Sequence, residues 1–207
     1  MKINKPKITI YEDKEFNNVN YEEEISNYRF TITPDEYIKI KDNTFDSCIF
    51  ENIDFTNIDL INIDLIDVIF TNCDLSNKSF DNKLINRVVF KNCKMLGSSF
   101  INSSLKDIEI DNCTSKYLNF SDAKINNMLI KETNLSESSF IETDIKNFYL
   151  EKVDLSHTEF IKTKLKDIDF STSDITNIIF DLESIKGIII DRFQSESLVG
   201  MLGVKIK

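Results

Sequence analysis

Residues 48–62 read Cys48-Ile49-Phe50-Glu51-Asn52, Ile53-Asp54-Phe55-Thr56-Asn57 and Ile58-Asp59-Leu60-Ile61-Asn62, three units of one five-residue pattern. An inward-sized residue opens each unit, a large apolar residue stands at its centre, and Asn closes it. Continuing the central position at steps of five from Phe45 to Ile190 gives 30 positions, occupied by 12 Phe, 8 Leu, 8 Ile, Met95 and Ser115. A helix repeats at 3.6 residues and a strand at 2, so neither yields a strict period of five. Two inward residues in every five require a chain that turns a corner every five residues. Four corners close a square coil. Residues 20 apart then stack, with successive coils roughly 4.8 Å apart, the spacing of hydrogen-bonded strands.

The columns that follow from this geometry are coherent. Phe80, Phe100, Phe120, Phe140, Phe160 and Phe180 fall in one stack of rings, and Val68, Val88, Ile108, Met128, Phe148, Ile168 and Ile188 in another column of large residues. The closing residue is Asn in 12 of the 30 units, as suits a turn with positive φ, which takes Gly first and Asn second. Each buried Phe, Leu or Ile contributes about 1.5–3 kcal/mol, so the core needs neither metal nor disulfide. The pattern resembles the pentapeptide-repeat family. It predicts an all-β fold, a right-handed quadrilateral parallel β-helix over residues 42–192, with an N-terminal cap or excursion at 1–41 and a C-terminal capping and dimerisation segment at 193–207.

Both ends depart from the repeat. Tyr11, Phe16 and Tyr21 resemble a short first coil in a shifted frame. Thr33-Pro34-Asp35-Glu36 carries the marks of a helix start, with Thr at the N-cap and Pro at the first helical position. Residues 191–203 predict a short helix grouping Leu198, Val199, Met201 and Leu202, followed by a strand at Val204-Lys205-Ile206. A helix and strand at a rod end suit a two-fold contact, so Phe193, Leu198, Met201, Leu202, Val204 and Ile206 are the expected dimerisation residues.

Gly187-Ile188-Ile189-Ile190-Asp191-Arg192-Phe193-Gln194, running into Leu198 and Leu202-Gly203-Val204, is similar to the end of the quinolone-resistance (Qnr-like) pentapeptide-repeat proteins. Asp107-Ile108-Glu109-Ile110-Asp111-Asn112-Cys113-Thr114-Ser115 resembles their middle, where a small residue also replaces the central apolar one. The resemblance implies a dimeric, non-enzymatic DNA mimic that binds a type II topoisomerase (DNA gyrase or topoisomerase IV) and modulates quinolone action. The unbroken five-residue frame resembles the members without projecting loops.

Charge gives this reading the right sign. The net charge of −10 argues against direct nucleic-acid binding, which needs a basic footprint. Thirty units make about 7.5 coils, or roughly 36 Å of rod, a length over which duplex DNA carries roughly 21 charges. The protein offers about half that density. Asp54, Asp74, Asp154 and Asp174 share one outward column interrupted by Lys94, with Asp59 and Glu159 on an adjacent side. Together these six carboxylates are the candidate partner-binding residues. Lys106, Lys146, Lys166 and Lys186 form a basic column on a third side, and Ile49, Ile69, Val89, Leu129, Tyr149 and Ile189 an apolar one broken by Glu109 and Asp169. An apolar stripe of this kind suggests an interface, covered by the N-terminal arm or by a partner. The alternative to the topoisomerase reading is accordingly a protein-interaction scaffold with an unrelated partner.

Nothing in the sequence points to catalysis. Cys73, Cys93 and Cys113 stack inward without a fourth ligand, as buried fillers rather than a zinc site. His157 is the only histidine and stands at an outward turn. Lys78 and Lys83 occupy inward positions, where a distorted coil with outward-reaching stems is expected. No apolar run approaches the roughly 20 residues of a membrane span, and the N-terminus lacks the apolar core of a signal peptide. The expectation is a cytoplasmic protein without cofactor, metal or membrane contact.

Overall fold

The computed structural model describes residues 3–19 and 24–201. Its strands are β1 (Glu12–Asp13), β2 (Ile25–Ser26), β3 (Tyr28–Phe30), β4 (Ile38–Asp46), β5 (Ile49–Glu51), β6 (Ile58–Thr71), β7 (Leu84–Lys91), β8 (Ser104–Asp111), β9 (Lys124–Lys131), β10 (Asp144–Glu151), β11 (Glu159–Phe160) and β12 (Ile179–Phe180), followed by one helix, α1 (Gln194–Met201). From β2 onward, residues 20 apart face each other in parallel: Ile25 with Phe45, Phe45 with Leu65, Leu65 with Ile85, Ile85 with Leu105. Single bridges continue the same register on the other two sides, from Asp54 to Asp174 and from Ser79 to Glu159. The result is a parallel β-solenoid of about eight turns with four faces. We number the faces by their central residues: Ile85 on face 1, Phe90 on face 2, Met95 on face 3 and Phe100 on face 4.

The corners explain the spacing. Of the 30 positions at five-residue steps from Asp42 to Gly187, 27 have positive φ; Asn57, Thr172 and Leu182 are the exceptions. A left-handed backbone costs most L-residues roughly 1–2 kcal/mol, and Asn and Asp visit it more readily. Asn does more than tolerate the corner. Asn72 donates its amide to Asn52 (3.0 Å), Asn92 to Asn72 (3.1 Å) and Asn112 to Asn92 (2.9 Å), forming a ladder along one edge. Gly97 takes one of these corners without a Cβ, which would otherwise press on the Asn77 side-chain oxygen at 2.9 Å.

The interior follows the predicted columns. Rings from Phe80 to Phe160 stack with centroids 4.7 to 5.2 Å apart, and Phe180 follows at 5.8 Å. A second stack on face 2 joins Phe30, Phe50, Phe70 and Phe90, and Phe16 caps it 4.5 Å from Phe30. Small polar residues at the opening position are hydrogen-bonding parts as well as fillers. Thr143 Oγ1 donates to the Phe120 carbonyl (2.9 Å), and the Thr143 N–H donates to Thr163 Oγ1 (3.1 Å). Ser98, Ser103, Thr158 and Thr163 make the same donation to the carbonyl 23 residues earlier, and the thiols of Cys48, Cys73, Cys93 and Cys113 a longer one.

Three expectations are corrected. No helix forms at Thr33–Glu36. Those residues belong to the third side of the first coil, where Pro34 is buried and Ile38 already opens β4. Thr33 Oγ1 accepts the Asp54 N–H (2.9 Å) of the next coil rather than capping a helix. The five-residue frame also begins earlier than Phe45, with Ile25 and Phe30 fully buried and Asn27 at positive φ. Tyr11 is exposed and outside any coil, while Tyr21 lies outside the described residues. Lys78 and Lys83 do not distort the solenoid. Asn77 and Asn82 keep their corners, Lys78 Nζ reaches the Ile58 carbonyl (2.9 Å), and Lys83 Nζ bonds Asn62 Oδ1.

The C-terminal end closes differently from the rest. Residues 181–186 wind into a turn in which Asp181 Oδ1 accepts the N–H groups of Glu183 and Ser184, both at 2.8 Å. Ser184 replaces residue 183 as the buried position. Helix α1 follows with a reciprocal cap: Asp191 Oδ1 accepts the Gln194 N–H (2.8 Å), and Gln194 Oε1 accepts the Asp191 N–H (2.9 Å). Gln194 Nε2 then bonds the carbonyls of Phe170 and Ser173, docking the helix on the last coil.

Candidate partner-binding surface

The outward column of face 3 brings Asp54 and Asp74 together near the N-terminal end and Asp154 and Asp174 near the other, as successive parallel bridges. Lys94, Thr114 and Asn134 separate the two pairs. At about 4.8 Å per coil, the gap from Asp74 to Asp154 is roughly 19 Å, so the acidic surface is two clusters and not a continuous strip. Each Asp also has a local task. Asp54 Oδ1 accepts the Thr56 N–H (2.8 Å) and hydroxyl (2.6 Å), Asp154 does the same for Ser156, and Asp174 for Thr176. Asp74 Oδ1 accepts the Ser76 N–H at 3.1 Å. The Thr56 hydroxyl and N–H hold the Asp54 carboxyl below the usual range. Each carboxylate therefore spends Oδ1 on its turn. On face 4, Asp59 accepts the Tyr37 hydroxyl, and Glu159 lines an open hollow of about 500 Å³ with Tyr117, Glu137 and His157.

Sequence reasoning did not single out a second group of carboxylates at the corner between faces 1 and 2. Asp67, Asp107 and Glu109 are only 6%, 3% and 5% exposed despite standing at outward or corner positions. The N-terminal strap, residues 3–11, buries them. Asn4 gives its N–H to Asp107 Oδ1 (3.2 Å) and its side-chain amide to Oδ2 (3.0 Å), and the Lys7 N–H binds Asp67 Oδ1 (2.8 Å). Lys5 pairs with Glu109, which also meets Lys131 at 3.3 Å. From the solenoid side, Arg87 grips Asp67 with two bonds of 2.6 Å, and Asn127 donates to Asp107. Burial pushes both Asp carboxyls up, but these donors outweigh it and hold them below the ordinary value. The strap joins the solenoid at β1, which pairs with β3.

This placement bears on the apolar column. Ile49, Ile69 and Val89 are half-buried on the stretch flanked by the strap's anchors. Leu129 and Tyr149, past Glu109, are half-buried too, and Ile189 is 47% exposed. Of the expected dimerisation residues, Leu198 joins the solenoid core and Phe193 projects at 84% exposure. The side chain of Met201, and Leu202, Val204 and Ile206, lie outside the described residues. Beside this end, an apolar groove of about 990 Å³ runs between Ile161, Phe180, Leu182 and Ile185.

The lysine column is real and exposed. Lys106, Lys124, Lys146, Lys164 and Lys166 make no ion pair among the described residues, whereas Lys186 meets Glu183 at 2.6 Å. The cysteines are all buried and free, and burial pushes the Cys48 thiol up to about 12. The Cys93 thiol and burial raise Cys113, and the same neighbour draws Cys73 down. Among the described residues no cluster of His, Cys, Asp and Glu could hold a metal ion, and no helix is long and apolar enough to cross a membrane.

A four-faced parallel solenoid with a left-handed corner every five residues, filled by Phe, Leu and Ile, defines a pentapeptide-repeat architecture. Family models agree: one described as a pentapeptide repeat region matches residues 63–140, and one described as pentapeptide repeats in eight copies matches residues 138–177. Together they span more than half of the 207 residues, and the chain belongs to the pentapeptide-repeat family. No curated protein matches the sequence. Among solved structures, a trypsin-treated form of QnrB1, a plasmid-mediated fluoroquinolone resistance protein, is 20% identical, with 86% of this chain and 99% of that chain covered and a TM-score of 0.41. A pentapeptide repeat protein of the cyanobacterium Cyanothece is 13% identical over 59% and 91%, with a TM-score of 0.36. HetL of the cyanobacterium Nostoc, involved in heterocyst differentiation regulation, is 12% identical over 81% and 89%, with a TM-score of 0.29.

Proposed function

We propose that this protein is a cytoplasmic, non-enzymatic DNA mimic that binds a type II topoisomerase and modulates quinolone sensitivity. In this reading it acts as a homodimer joined at its C-termini, with the helix end from Phe193 to Ile206 at the contact, and it binds no nucleic acid itself. The observation that carries the reading is the face 3 column, where Asp54, Asp74, Asp154 and Asp174 repeat one outward geometry and Asp59 and Glu159 add charge on face 4. The sequence resemblance of residues 107–115 and 187–204 to the quinolone-resistance proteins supports the choice of partner. The test is a supercoiling assay on DNA gyrase titrated with the protein, with and without a quinolone. Restored supercoiling with the drug, or inhibition without it, is expected. Asp154→Asn with Asp174→Asn keeps the turn acceptors and removes two charges, so it should weaken the effect without unfolding the rod. No effect at tens of micromolar by a folded dimer would sink the reading.

A second reading has its own observation. The exposed lysines of face 1 offer an acidic partner a flat basic surface, as a protein-interaction scaffold would. Loss of binding on Lys146→Glu with Lys166→Glu, and none on the Asp pair, would favour it.

A further inference from the structure

The corner between faces 1 and 2 is built like a peptide-binding groove, and the peptide in it is the chain's own N-terminus. Solenoid coils are held to one another by backbone ladders repeated on every face. Residues 3–11 form no strand, and the hydrogen bonds described for them are two backbone N–H groups and one amide, all donated to carboxylates. The side presented to the groove is Ile3, Pro6 and Ile8, each half-buried, while Asn4, Lys5 and Lys7 stay exposed apart from their anchoring atoms. Beyond them Ile10 is 75% exposed. A strap so lightly held exchanges more readily than the strands beneath it.

The surface beneath is far more elaborate than a strap of this length needs. Three carboxylates are buried there, and each is also oriented from the solenoid side, Asp67 by Arg87, Asp107 by Asn127 and Glu109 by Lys131. They are positioned by the folded body and not by the strap alone. Burying carboxylates is costly unless donors meet them, and extended backbone with lysine supplies such donors. Half-buried Ile49, Ile69 and Val89 lie alongside on face 2.

We propose that this corner is a docking surface for an extended, lysine-bearing segment of a partner protein, and that residues 3–11 occupy it in cis until such a segment displaces them. The partner's N–H groups take the places of those of Asn4 and Lys7 on Asp107 and Asp67, and its lysine that of Lys5 on Glu109. The surface is distinct from the face 3 carboxylates, so it stands or falls separately from the topoisomerase reading.

The strap itself is the probe. A fluorescent peptide of residues 3–13 is titrated into the full-length protein and into the full-length Asn4→Ala, Lys5→Glu variant, whose changes lie outside the solenoid. A tethered strap competes at an effective concentration of the order of millimolar, so the loosened variant should bind the peptide at least tenfold more tightly than the wild type. Adding Asp67→Asn and Asp107→Asn should abolish that binding, with the β circular dichroism unchanged. A peptide with its lysines replaced by glutamate should not bind. In the wild type, excess peptide should speed hydrogen exchange of the strap amides and leave the β6–β9 amides protected. Equal affinity for both proteins, or equal binding of the glutamate peptide, would overturn the proposal. So would a strap-exchanged dimer that the peptide dissolves, since the occupant would then be a second copy of this chain.

Discussion

Asn4 and Asp107 stand 103 residues apart and are joined by two hydrogen bonds, the Asn4 N–H to Oδ1 at 3.2 Å and its side-chain amide to Oδ2 at 3.0 Å. Asp107 sits at a corner of the solenoid with φ 56° and is 3% exposed. One residue thus serves both the repeat and the tertiary fastening of the N-terminus. Asp107→Asn keeps the left-handed turn but replaces one accepting oxygen with an NH2 donor, so one of the two bonds is lost and the other loses its charge, at about 1.5–3 kcal/mol for a charged pairing. Hydrogen exchange of the strap should accelerate about tenfold or more, while the melting temperature of the solenoid barely moves. Unchanged strap exchange would show that the fastening lies elsewhere.

Acid should release the strap before it melts the rod. Asp67 and Asp107 are held below their ordinary value of 3.8, against the upward push of burial, by Arg87 and the Lys7 N–H on one and by Asn4 and Asn127 on the other. A carboxylate whose pKa is depressed by folding contributes stability that is full above its unfolded value and lost as pH falls through the folded one. Strap protection is therefore expected to hold from neutrality to about pH 4 and to fail below it. Limited proteolysis at residues 3–11 across this range measures it. Release already at pH 6 would contradict the assignment.

The repeat itself was fully legible in the sequence, because the central column and the Asn corners obey a spacing that only a square coil produces. Local signals failed where the ladder overrode them. Thr33–Glu36 has a helix-start pattern, yet the seven residues between Phe30 and β4 must span the third side of the coil, and pairing with the next coil wins. The acidic column is legible in the sequence, whereas the hydrogen bonds each Asp makes within its own turn become visible only in the fold. An Asp two residues before Ser or Thr, as at Asp54 and Thr56, was the available signal. The strap was suggested only as a cover for the apolar column. Its anchors, Asp67, Asp107 and Glu109, look like ordinary surface acids until folding places residues 4 to 7 against them.

The Asn ladder stops at Asn112, where Glu132 takes the next corner at φ 48°. Glu132→Asn should extend the ladder by one amide and relieve the left-handed strain, for a gain of about 1 kcal/mol. The exposed pair of Glu132 with Lys152 (3.2 Å) is lost, which costs little at the surface. Urea denaturation should show a higher midpoint. A lower one would mean that the ion pair outweighs the turn.

The hydroxyl bridges between coils predict a cost on the other side. Thr143→Val keeps shape and burial but removes the 2.9 Å hydroxyl donor between coils, leaving the Phe120 carbonyl with the Ala123 N–H (3.1 Å) alone. Loss of one such hydrogen bond costs about 0.5–1.5 kcal/mol, so the urea midpoint should fall.

Ser115 is the converse case. It is fully buried in the central column of face 3, between Met95 and Leu135, and its hydroxyl is one of the buried side-chain atoms without a hydrogen-bond partner among the described residues. Its carbonyl is engaged, accepting from Ser138 Oγ at 3.5 Å, so only the side chain is idle. Ser115→Ala removes an unsatisfied polar atom and almost no volume, and should stabilise the protein by about 1 kcal/mol. Ser115→Thr keeps the hydroxyl and adds a methyl group, and should not reproduce that gain. A loss of stability in the Ala variant would show that the hydroxyl is satisfied in solution and that Ser115 is part of the bridge network rather than a gap in the apolar column.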